Sequence, residues 1–409
     1  MPQSLSNLDA ALKDDYGPGL RESVNNSNPV WTEATRNDED IQGRQAVWAV
    51  HTARSTSTGA RAELSTLPSA DRERYSQAKQ TLAFLYHTIK VSGPSIALTR
   101  GDDGAFVRAL EAEIDGAEKN LKVDCARQAF GDVVTVNSIV QTGVLATVTS
   151  DTGTVTTLGS PTEDETAISA AEMRYFFVGM SVDYLSGTTG ALRGTVVLTA
   201  VDRVNGTITS AASPAGTTDE DVISRQGSFG AEMLGLRALV KDTGTIANIS
   251  PTTVPTWAAI KVGSSTTAIS EVLFDQATEG VETDGDGSTP NLYFCEHAQR
   301  RKLASILQAQ KRYDGKQVTL QAGWNGLQLA RGVLIADRFC PTNTAFAITP
   351  KELVRFVGQD FQWDDRDGKI LKPAFDGSDA VEARYLAYQQ LMTTNRNSHT
   401  LISMATPTF

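Results

Sequence analysis

Residues 103–131 read DGAFVRALEAEIDGAEKNLKVDCARQAFG, and this stretch has the most regular helical pattern of the chain. Its apolar residues recur every three or four positions and therefore share one face of an α-helix: Phe106, Leu110, Ile114, Ala117, Leu121 and Cys125. Asp102 or Asp103 can cap the start of the helix, and Gly131 can end it. A helix over 103–130 would span roughly 40 Å, so we expect it to be the backbone on which other elements pack.

The residues before this helix alternate between polar and apolar stretches. A short amphipathic helix is predicted over 4–16, and the polar residues 20–43 have the composition of a disordered arm. Residues 46–53 and 81–91 have the apolar content of strands, and a long polar stretch separates them. Because connections of this length in a compact domain are uncommon and tend to be functional, we predict a long two-stranded excursion here.

After the helix the composition changes toward β-structure. Residues 133–225 are dominated by Thr, Val, Gly and Ser, and Asn205-Gly206 is a strong signal for a hairpin turn. We therefore predict a β-rich subdomain over 133–225. Farther along, a buried strand is predicted at 291–296, followed by a helix that Gly315 ends.

The C-terminal part mixes helix and strand signals. Ile269, Val272 and Leu273 fall on one helical face. Residues 349–352, which read TPKE, match a capping box and predict the start of a helix. The tail segments 381–392 and 399–405 fit either a final helix or a pair of strands.

Composition limits the kind of protein this is. The chain of 409 residues is 40% hydrophobic and has 37 Lys and Arg against 48 Asp and Glu, for a net charge of −11. This balance argues against tight electrostatic binding of nucleic acid by the whole surface, although not against enclosing it. The three cysteines are too few and too scattered for a disulfide framework or a zinc cluster. No run of apolar residues reaches the length of a membrane span, and no signal peptide is evident, so we expect an intracellular protein.

Motifs for catalysis or for ligand binding are not found. The sequence contains no phosphate-binding GxxxxGK[ST], no GxSxG elbow and no HExxH, and its four histidines are dispersed. The acidic stretch that starts at Glu282 resembles a calcium-binding loop, but Glu282 and Tyr293 occupy the positions where Asp and Glu are required. We expect packed or surface histidines, no metal or cofactor, no catalytic residues and no enzyme activity.

The order of these parts resembles the Hong Kong 97-type major capsid protein of tailed phages, whose fold encapsulin shells share. The resemblance starts near residue 44 and is carried by five stretches: 59–96, 106–132, 303–315, 324–348 and 382–405, which include GARAELSTLPSADRERYSQ, FVRALEAEIDGAEKNLK, LASILQAQKRYDG, WNGLQLARGVLIADRF and EARYLAYQQLMTT. Each stretch is weakly specific by itself, whereas their order is more specific.

The resemblance implies an α+β chain with the domains of that fold. Residues 1–43 would be the N-terminal arm and 44–80 the E-loop. The P-domain would consist of 81–130, which holds the long spine helix, and of a return segment at 346–409. Residues 131–345 would form the A-domain, and the stretch 133–225 would be a β-rich insertion in it.

The same resemblance implies a function. Copies of the chain would form the pentamers and hexamers of an icosahedral phage head that encloses double-stranded DNA without sequence-specific binding. The head would assemble in the cytoplasm of a bacterial host. Further partners would be a portal and possible decoration proteins. About 43 residues before the E-loop are too few for a fused scaffold, so we expect either a separate scaffolding protein or assembly without one. The alternatives are an encapsulin-like cargo shell, and a non-capsid phage structural protein or an enzyme.

One property of the family can be tested residue by residue. Some members join an E-loop lysine covalently to an asparagine of a neighbouring subunit, but here no lysine lies between 44 and 78, and Lys79 is at the strand edge. We therefore expect no such crosslink. The residues expected to contact neighbouring subunits instead are Arg54, Arg61, Glu63, Arg72, Glu73, Arg74 and, in the arm, Trp31.

Overall fold

The computed structural model describes residues 28–94, 103–136, 139–160, 168, 172–285, 288–309, 317–319, 325–365, 368–374 and 377–408. The short helix predicted over 4–16 lies outside these ranges. The α-helices in the described residues are α1 (Pro29–Glu33), α2 (Asp103–Ala129), α3 (Leu236–Leu239), α4 (Glu271–Asp284) and α5 (His297–Ala309).

The strands of the described residues lie between Thr35 and Ser403. In the first half they are β1 (Thr35–Asn37), β2 (Ile41–Gln42), β3 (Gln45–Ala53), β4 (Arg74–Thr81), β5 (Ala83–Ser92), β6 (Val134–Val136), β7 (Ile139–Gln141), β8 (Val144–Asp151), β9 (Val155–Gly159), β10 (Ser181–Leu185), β11 (Leu192–Asp202), β12 (Thr207–Ser210) and β13 (Val222–Arg225). In the second half they are β14 (Ile260–Gly263), β15 (Leu292–Cys295), β16 (Gln317–Thr319), β17 (Asn325–Gln328), β18 (Val333–Ala336), β19 (Thr344–Ile348), β20 (Leu353–Trp363), β21 (Lys372–Pro373), β22 (Ala380–Thr393) and β23 (Thr400–Ser403).

The long helix α2 packs on a five-stranded sheet, and its predicted bounds of 103–130 are confirmed to within one residue. The sheet has the order β1-β20-β22-β21, and β5 pairs with the other side of β22. Ile114, Leu121 and Cys125 on the predicted apolar face are buried against it. The helix ends at Ala129, and just beyond it the N–H of Gly131 donates to the carbonyl of Gln128 at 2.9 Å.

The chain returns past this helix end at Gly235, where the two backbones nearly touch. A Cβ atom on Gly235 would lie 2.1 Å from the backbone nitrogen of Gly131, so no other residue fits here without moving the backbone.

A second, three-stranded sheet forms a projecting hairpin with the order β2-β3-β4. β3 and β4 pair antiparallel, and Leu82 alone separates β4 from β5. The predicted strand at 81–91 is thus confirmed as β5, whereas β4 had been assigned to the polar stretch. In β4 only Ala78 is buried, because this part of a projecting hairpin has little core to face.

Residues of the predicted β-rich subdomain form a closed six-stranded barrel with the strand order β10-β11-β12-β9-β8-β13. The barrel has a hydrophobic core of its own, which includes Val182, Tyr184 and Ile223. The predicted hairpin at Asn205-Gly206 is confirmed, since β11 and β12 pair antiparallel and Gly206 has a φ of +64°. Its turn has four residues, 203–206, rather than the two that the motif predicts.

The seven-stranded sheet has the order β14-β23-β19-β15-β18-β17-β16. α4 packs on β14 and β23, and α5 packs on β18. The predicted strand at 291–296 is β15, all four residues of which are buried. The C-terminal β23 belongs to this sheet, while β20 and β22 belong to the sheet under α2, so the predicted return segment 346–409 spans two sheets.

Two predictions for the C-terminal part can be compared with the structure: a helix start at 349–352, and either a helix or strands in the tail. The capping box at 349–352 does not start a helix but forms a turn, in which Glu352 N–H donates to the Thr349 carbonyl at 3.1 Å before β20 begins. Of the two alternatives for the tail, the structure has strands, β22 and β23. Both outcomes follow from pairing with strands distant in sequence, which a local motif does not encode.

Candidate functional site

The connection between β3 and β4, residues 54–73, projects from the molecule and is called the projecting loop below. Almost every residue in it is exposed. Two large apolar side chains lie near its middle: Leu64 is fully exposed and Leu67 is 78% exposed. Leu64 also has a φ of +64°, a backbone region that few non-glycine residues adopt. Exposed leucines on a projecting loop are typical of a surface that another protein covers.

Polar contacts hold the two sides of the loop together near its base. Thr56 donates to one carboxylate oxygen of Asp71 through its backbone N–H at 3.0 Å and through its hydroxyl at 2.8 Å. These hydrogen bonds lower the pKa of Asp71 to about 2. Next to this contact, His51 Nε2 lies 2.8 Å from a carboxylate oxygen of Glu73, and this bond lowers the pKa of Glu73. The ordered base therefore extends to Thr56 and Asp71, and the residues between them form the tip.

The structure brings together six of the seven residues expected to contact neighbouring subunits. All six are exposed and lie on the projecting loop or at the first residue of β4: Arg54, Arg61, Glu63, Arg72, Glu73 and Arg74. Of these, Glu73 is engaged by His51 within its own chain.

Trp31 lies elsewhere, in α1. Its side chain is 1% exposed, it packs in the core under α2, and the guanidinium of Arg355 lies 5.4 Å from its ring centroid. Asn28 caps α1 and also donates to the carbonyl of Ala126 in α2 at 3.3 Å. The described end of the arm is thus anchored to its own chain, and Trp31 has no part in the exposed surface.

The sequence reasoning concentrated on charged residues and missed the two leucines of the tip. Their signal was present, because Leu64 and Leu67 are large apolar residues in a polar stretch that has no helix or strand period. Tyr75 at the start of β4 is 65% exposed and was missed in the same way.

A groove of roughly 640 Å³ lies between β5, the C-terminal half of α2 and the barrel, and is called the barrel groove below. Residues 84–88 of β5 line one side, residues between 120 and 128 of α2 line the floor, and Phe177, Met180 and Arg225 line the barrel side. Several of its apolar residues are partly exposed to solvent: Phe84, Val123 and Phe177.

Ion pairs fix the barrel against α2 and thereby shape this groove. Arg127 donates to both carboxylate oxygens of Glu232 at 2.8 and 2.6 Å and to Asp124 at 2.9 Å, and Arg225 of β13 reaches Asp124 at 3.0 Å. Burial alone would raise the pKa of Asp124, but the two arginines hold it below its ordinary value. A second pair, Arg237 of α3 with Glu172 at 2.8 Å, ties the connection between β9 and β10 to the segment that follows the barrel.

His399 is a packed histidine, unlike His51. It is fully buried, its Nδ1 accepts from the N–H of Thr349 at 3.2 Å, and its Nε2 lies 2.8 Å from the hydroxyl of Thr393. Burial and the neighbouring Arg396 lower the pKa of His399 to about 3, so the ring is neutral and serves packing.

The described part of the chain shows neither a metal-binding cluster nor a membrane-spanning helix. No group of three or more His, Cys, Asp or Glu side chains there is placed to hold a metal ion. None of the helices there combines the length and the hydropathy that crossing a bilayer requires.

Comparison with known proteins gives a result at the level of structure. No protein-family model and no curated protein matches the chain. Among solved structures, the capsid asymmetric unit of cyanophage A-1(L) superposes with a TM-score of 0.56 at 11% identity, over 93% of each chain. The chain has the Hong Kong 97-type capsid fold. The predicted fold class, α+β with this architecture, is confirmed.

Other solved structures match over a similar length with lower TM-scores. A chain of Mycobacterium phage Bobi has a TM-score of 0.45 at 8% identity and 98% coverage of both chains. The virus-like particle from Pyrococcus furiosus has a TM-score of 0.41 at 12% identity, over 95% of this chain and 100% of that one. The assignment to the Hong Kong 97-type fold rests on the cyanophage structure. By their descriptions, the cyanophage structure is a capsid asymmetric unit and the Pyrococcus furiosus structure is a virus-like particle.

Proposed function

We propose that the chain is the major capsid protein of a tailed phage, and that its copies form the pentamers and hexamers of an icosahedral head enclosing double-stranded DNA. The observation that carries this proposal is the capsid fold, which extends over 93% of the chain. In the terms of that fold, the hairpin over 44–80 is the E-loop, the sheet under α2 is the P-domain and the seven-stranded sheet lies in the A-domain. The barrel is the β-rich insertion in the A-domain.

The E-loop supports the proposal because the leucines at its tip are exposed in the subunit and would be buried by a neighbouring copy. Burying one leucine against a neighbour contributes on the order of 2 kcal/mol, and the charged residues around the tip add specificity more than affinity. Every subunit of a shell repeats this contact. Many modest contacts that act together make loss of a single subunit rare.

Closed rings follow from contacts of the head-to-tail type. When one surface of a subunit binds a different surface of the next, the assembly closes if the rotation per contact divides a full turn. Small changes in that rotation permit rings of five and of six from the same chain. The E-loop and its receiving surface would form one such pair of surfaces.

The charge of the chain suits a container for DNA. A net charge of −11 does not favour tight binding of the phosphate backbone over the whole surface. The genome would then be enclosed without being immobilised. Cohesion of the shell would be non-covalent, since the projecting loop contains no lysine for a crosslink.

Negative-stain electron microscopy and sedimentation of the recombinant protein test the proposal directly. We expect shells, tubes or rings of five and six subunits. Replacing residues 57–70 with a short Gly-Ser linker keeps Thr56 and Asp71 and should abolish closed shells while leaving the subunit folded, as judged by circular dichroism. Intact shells from the shortened loop would contradict the assigned role of the loop.

The partners and the place of assembly are part of the same proposal. We expect a separate scaffolding protein, a portal and possible decoration proteins, with assembly in the cytoplasm of a bacterial host. Co-expression with candidate scaffolding proteins tests this: a scaffold should convert tubes or irregular particles into shells of uniform size. A monomer that never assembles, with or without such a partner, would contradict the capsid proposal.

A further inference from the structure

We propose that a notch in β20 beside Gly358, filled by side chains at the base of the projecting hairpin, sets the angle at which this hairpin leaves the sheet under α2 and thereby the size of the particles that copies of the chain form. The effect on particle size rests on the proposed function, whereas the angle is a property of the single chain. The two are tested by separate measurements.

The notch is produced by a β-bulge in β20. Val357 and Gln359 pair with consecutive residues of β22, so Gly358 between them is an extra residue in its strand. A bulge bends its strand, and a glycine inside a strand often marks a close approach of another part of the chain. A Cβ atom on Gly358 would lie 2.8 Å from Cδ1 of Leu82 and 3.9 Å from Cδ1 of Ile41. These two side chains therefore fill the space that a side chain at Gly358 would need.

Leu82 is the residue at which the chain passes from the projecting hairpin to the sheet under α2. It alone separates β4 from β5. Its N–H donates to the carbonyl of Arg44 at 3.0 Å, which ties it to the start of β3. Its side chain is 5% exposed and belongs to the core under α2. Because cores are close-packed, Leu82 moves little without losing contacts, and its position beside Gly358 is fixed.

The other strands of the hairpin also contact the body near its base. Trp48 of β3 stacks on Phe356 of β20, with 5.2 Å between the ring centroids and 28° between the planes. The backbone N–H of Lys79 in β4 donates to the carbonyl of Ala247 at 3.2 Å. The hairpin is thus supported by β20 and by the turn around Ala247, and the notch is the point where its chain joins the sheet.

The angle at the base matters because the hairpin is long. β4 has eight residues, or about 26 Å at the usual rise of a strand. A rotation of about 10° at the base would move the far end of β4 by roughly 4–5 Å. Contacts between proteins depend on close packing at their centre, so a shift of this size changes how the loop meets a neighbour. The rotation between neighbouring copies in turn determines the size at which an assembly closes.

The angle can be measured in the unassembled full-length chain as the distance between two spin labels. Arg74 at the far end of β4 and Lys119 on α2 are both exposed. The three native cysteines are buried, so labels should attach to the introduced cysteines of R74C/K119C. Pulsed electron paramagnetic resonance should give one narrow distribution of distances in this background.

Three variants of the notch then have different expected results. Leu82→Ala empties the notch and should widen the distribution about twofold. Gly358→Ala places a methyl group against Leu82 and should shift the mean distance by about 3 Å. Gly358→Ala combined with Leu82→Val keeps the number of side-chain carbon atoms of the native pair and should restore the original mean.

The control is Leu303→Ala, which removes a fully buried leucine from a different cluster. It should destabilise the subunit without changing the label distance. Unchanged distances in Leu82→Ala and Gly358→Ala, or equal widening in Leu303→Ala, would overturn the role of the notch. If Gly358→Ala does not fold, Leu82→Ala against this control decides the question.

Electron microscopy of assembled particles tests the effect on size. Gly358→Ala should give particles of altered diameter or tubes, and the combined variant with Leu82→Val should give the original diameter. An unchanged diameter in Gly358→Ala together with a shifted label distance would overturn the effect on particle size and leave the capsid function standing. If the unmodified chain makes no particles under any condition, the capsid proposal and the effect on size both fail, while the label distances still decide the role of the notch.

Discussion

Arg396 shows how a single residue joins distant parts of this chain. Its side chain is fully buried between β22 and β23, and its guanidinium donates to the backbone carbonyls of Leu239, Thr243 and Gly244 at 3.0 to 3.1 Å. Those carbonyls lie at the end of α3 and in the loop after it, where helical hydrogen-bond partners run out. Burial lowers the pKa of Arg396 to about 10, which still leaves it charged at neutral pH.

Replacing this arginine should therefore destabilise the subunit. Arg396→Met removes the donor and leaves several buried carbonyls without a partner, so we expect the free energy of unfolding to fall by about 3 kcal/mol. Urea unfolding of the isolated subunit measures this. Arg203→Met in the exposed hairpin of the barrel is the control and should change it by less than about 0.5 kcal/mol. Equal effects of the two substitutions would contradict the role of Arg396.

Asp71 permits a pH test at the base of the projecting loop. Its pKa is lowered from 3.8 to about 2 by the hydrogen bonds from Thr56. A carboxyl group with a lowered pKa contributes stability above its ordinary value and loses it as the pH falls through the lowered one. The contact should thus be fully formed at pH 5, weaken below pH 4 and be lost near pH 2. The chemical shift of the Thr56 amide proton in NMR spectra, measured as a function of pH, reports whether the contact is formed. In Asp71→Asn this transition should disappear, and a midpoint near 4 in the unmodified chain would contradict the contact.

At the scale of elements, local periodicity predicted some structures and missed others. The helix α2 and the hairpin at Gly206 were predicted because their signals lie within a few neighbouring residues. β4 was missed because it has almost no apolar face: it is stabilised by pairing with β3 and by the bond from Lys79 N–H to the Ala247 carbonyl at 3.2 Å. The sequence of residues 349–352 predicts a helix start, but these residues form a turn. The four-residue motif contains no information on the strands β19 and β20 that flank it.

The position of the barrel on α2 should depend on Asp124, which bridges two arginines. Asp124→Asn leaves Arg127 and Arg225 with weaker partners in a largely buried site, and we expect the free energy of unfolding to fall by about 2 kcal/mol. Thermal unfolding of the subunit measures this. The control is Lys122→Gln, which breaks the pair with Glu118 on the same helix and should cost at most about 0.5 kcal/mol. A loss at Asp124 no larger than the control would mean that the barrel is held by other contacts.

At the scale of the whole molecule, the sheets and the barrel differ from the projecting loop in how their apolar side chains are buried. The sheets and the barrel each have a buried core, whereas the projecting loop leaves its leucines in solvent. Such an arrangement suits a subunit whose remaining apolar surface is covered by copies of itself. The proposed shell would then be held by many non-covalent contacts.

That expectation can be checked on assembled particles. With no lysine in the loop, heating in sodium dodecyl sulfate without reductant should convert the shells into a single band at 43.8 kDa. Unheated particles on the same gel serve as the control for incomplete dissociation. A ladder of higher bands that survives heating and reductant would contradict the prediction and would point to covalent bonds between residues outside the loop.

The sequence by itself determined the parts that depend on neighbouring residues: the long helix, the β-rich character of 133–225, a polar excursion without lysine, and an order of elements typical of a capsid fold. Only the tertiary structure decided that β23 leaves the sheet of β22 for that of β19, that Trp31 is buried while Leu64 is exposed, and that His399 is neutral. The physical reason is that burial, strand pairing and pKa values arise from contacts between residues far apart in the chain. The barrel groove is the clearest case, since it is formed by β5, α2 and β13 together.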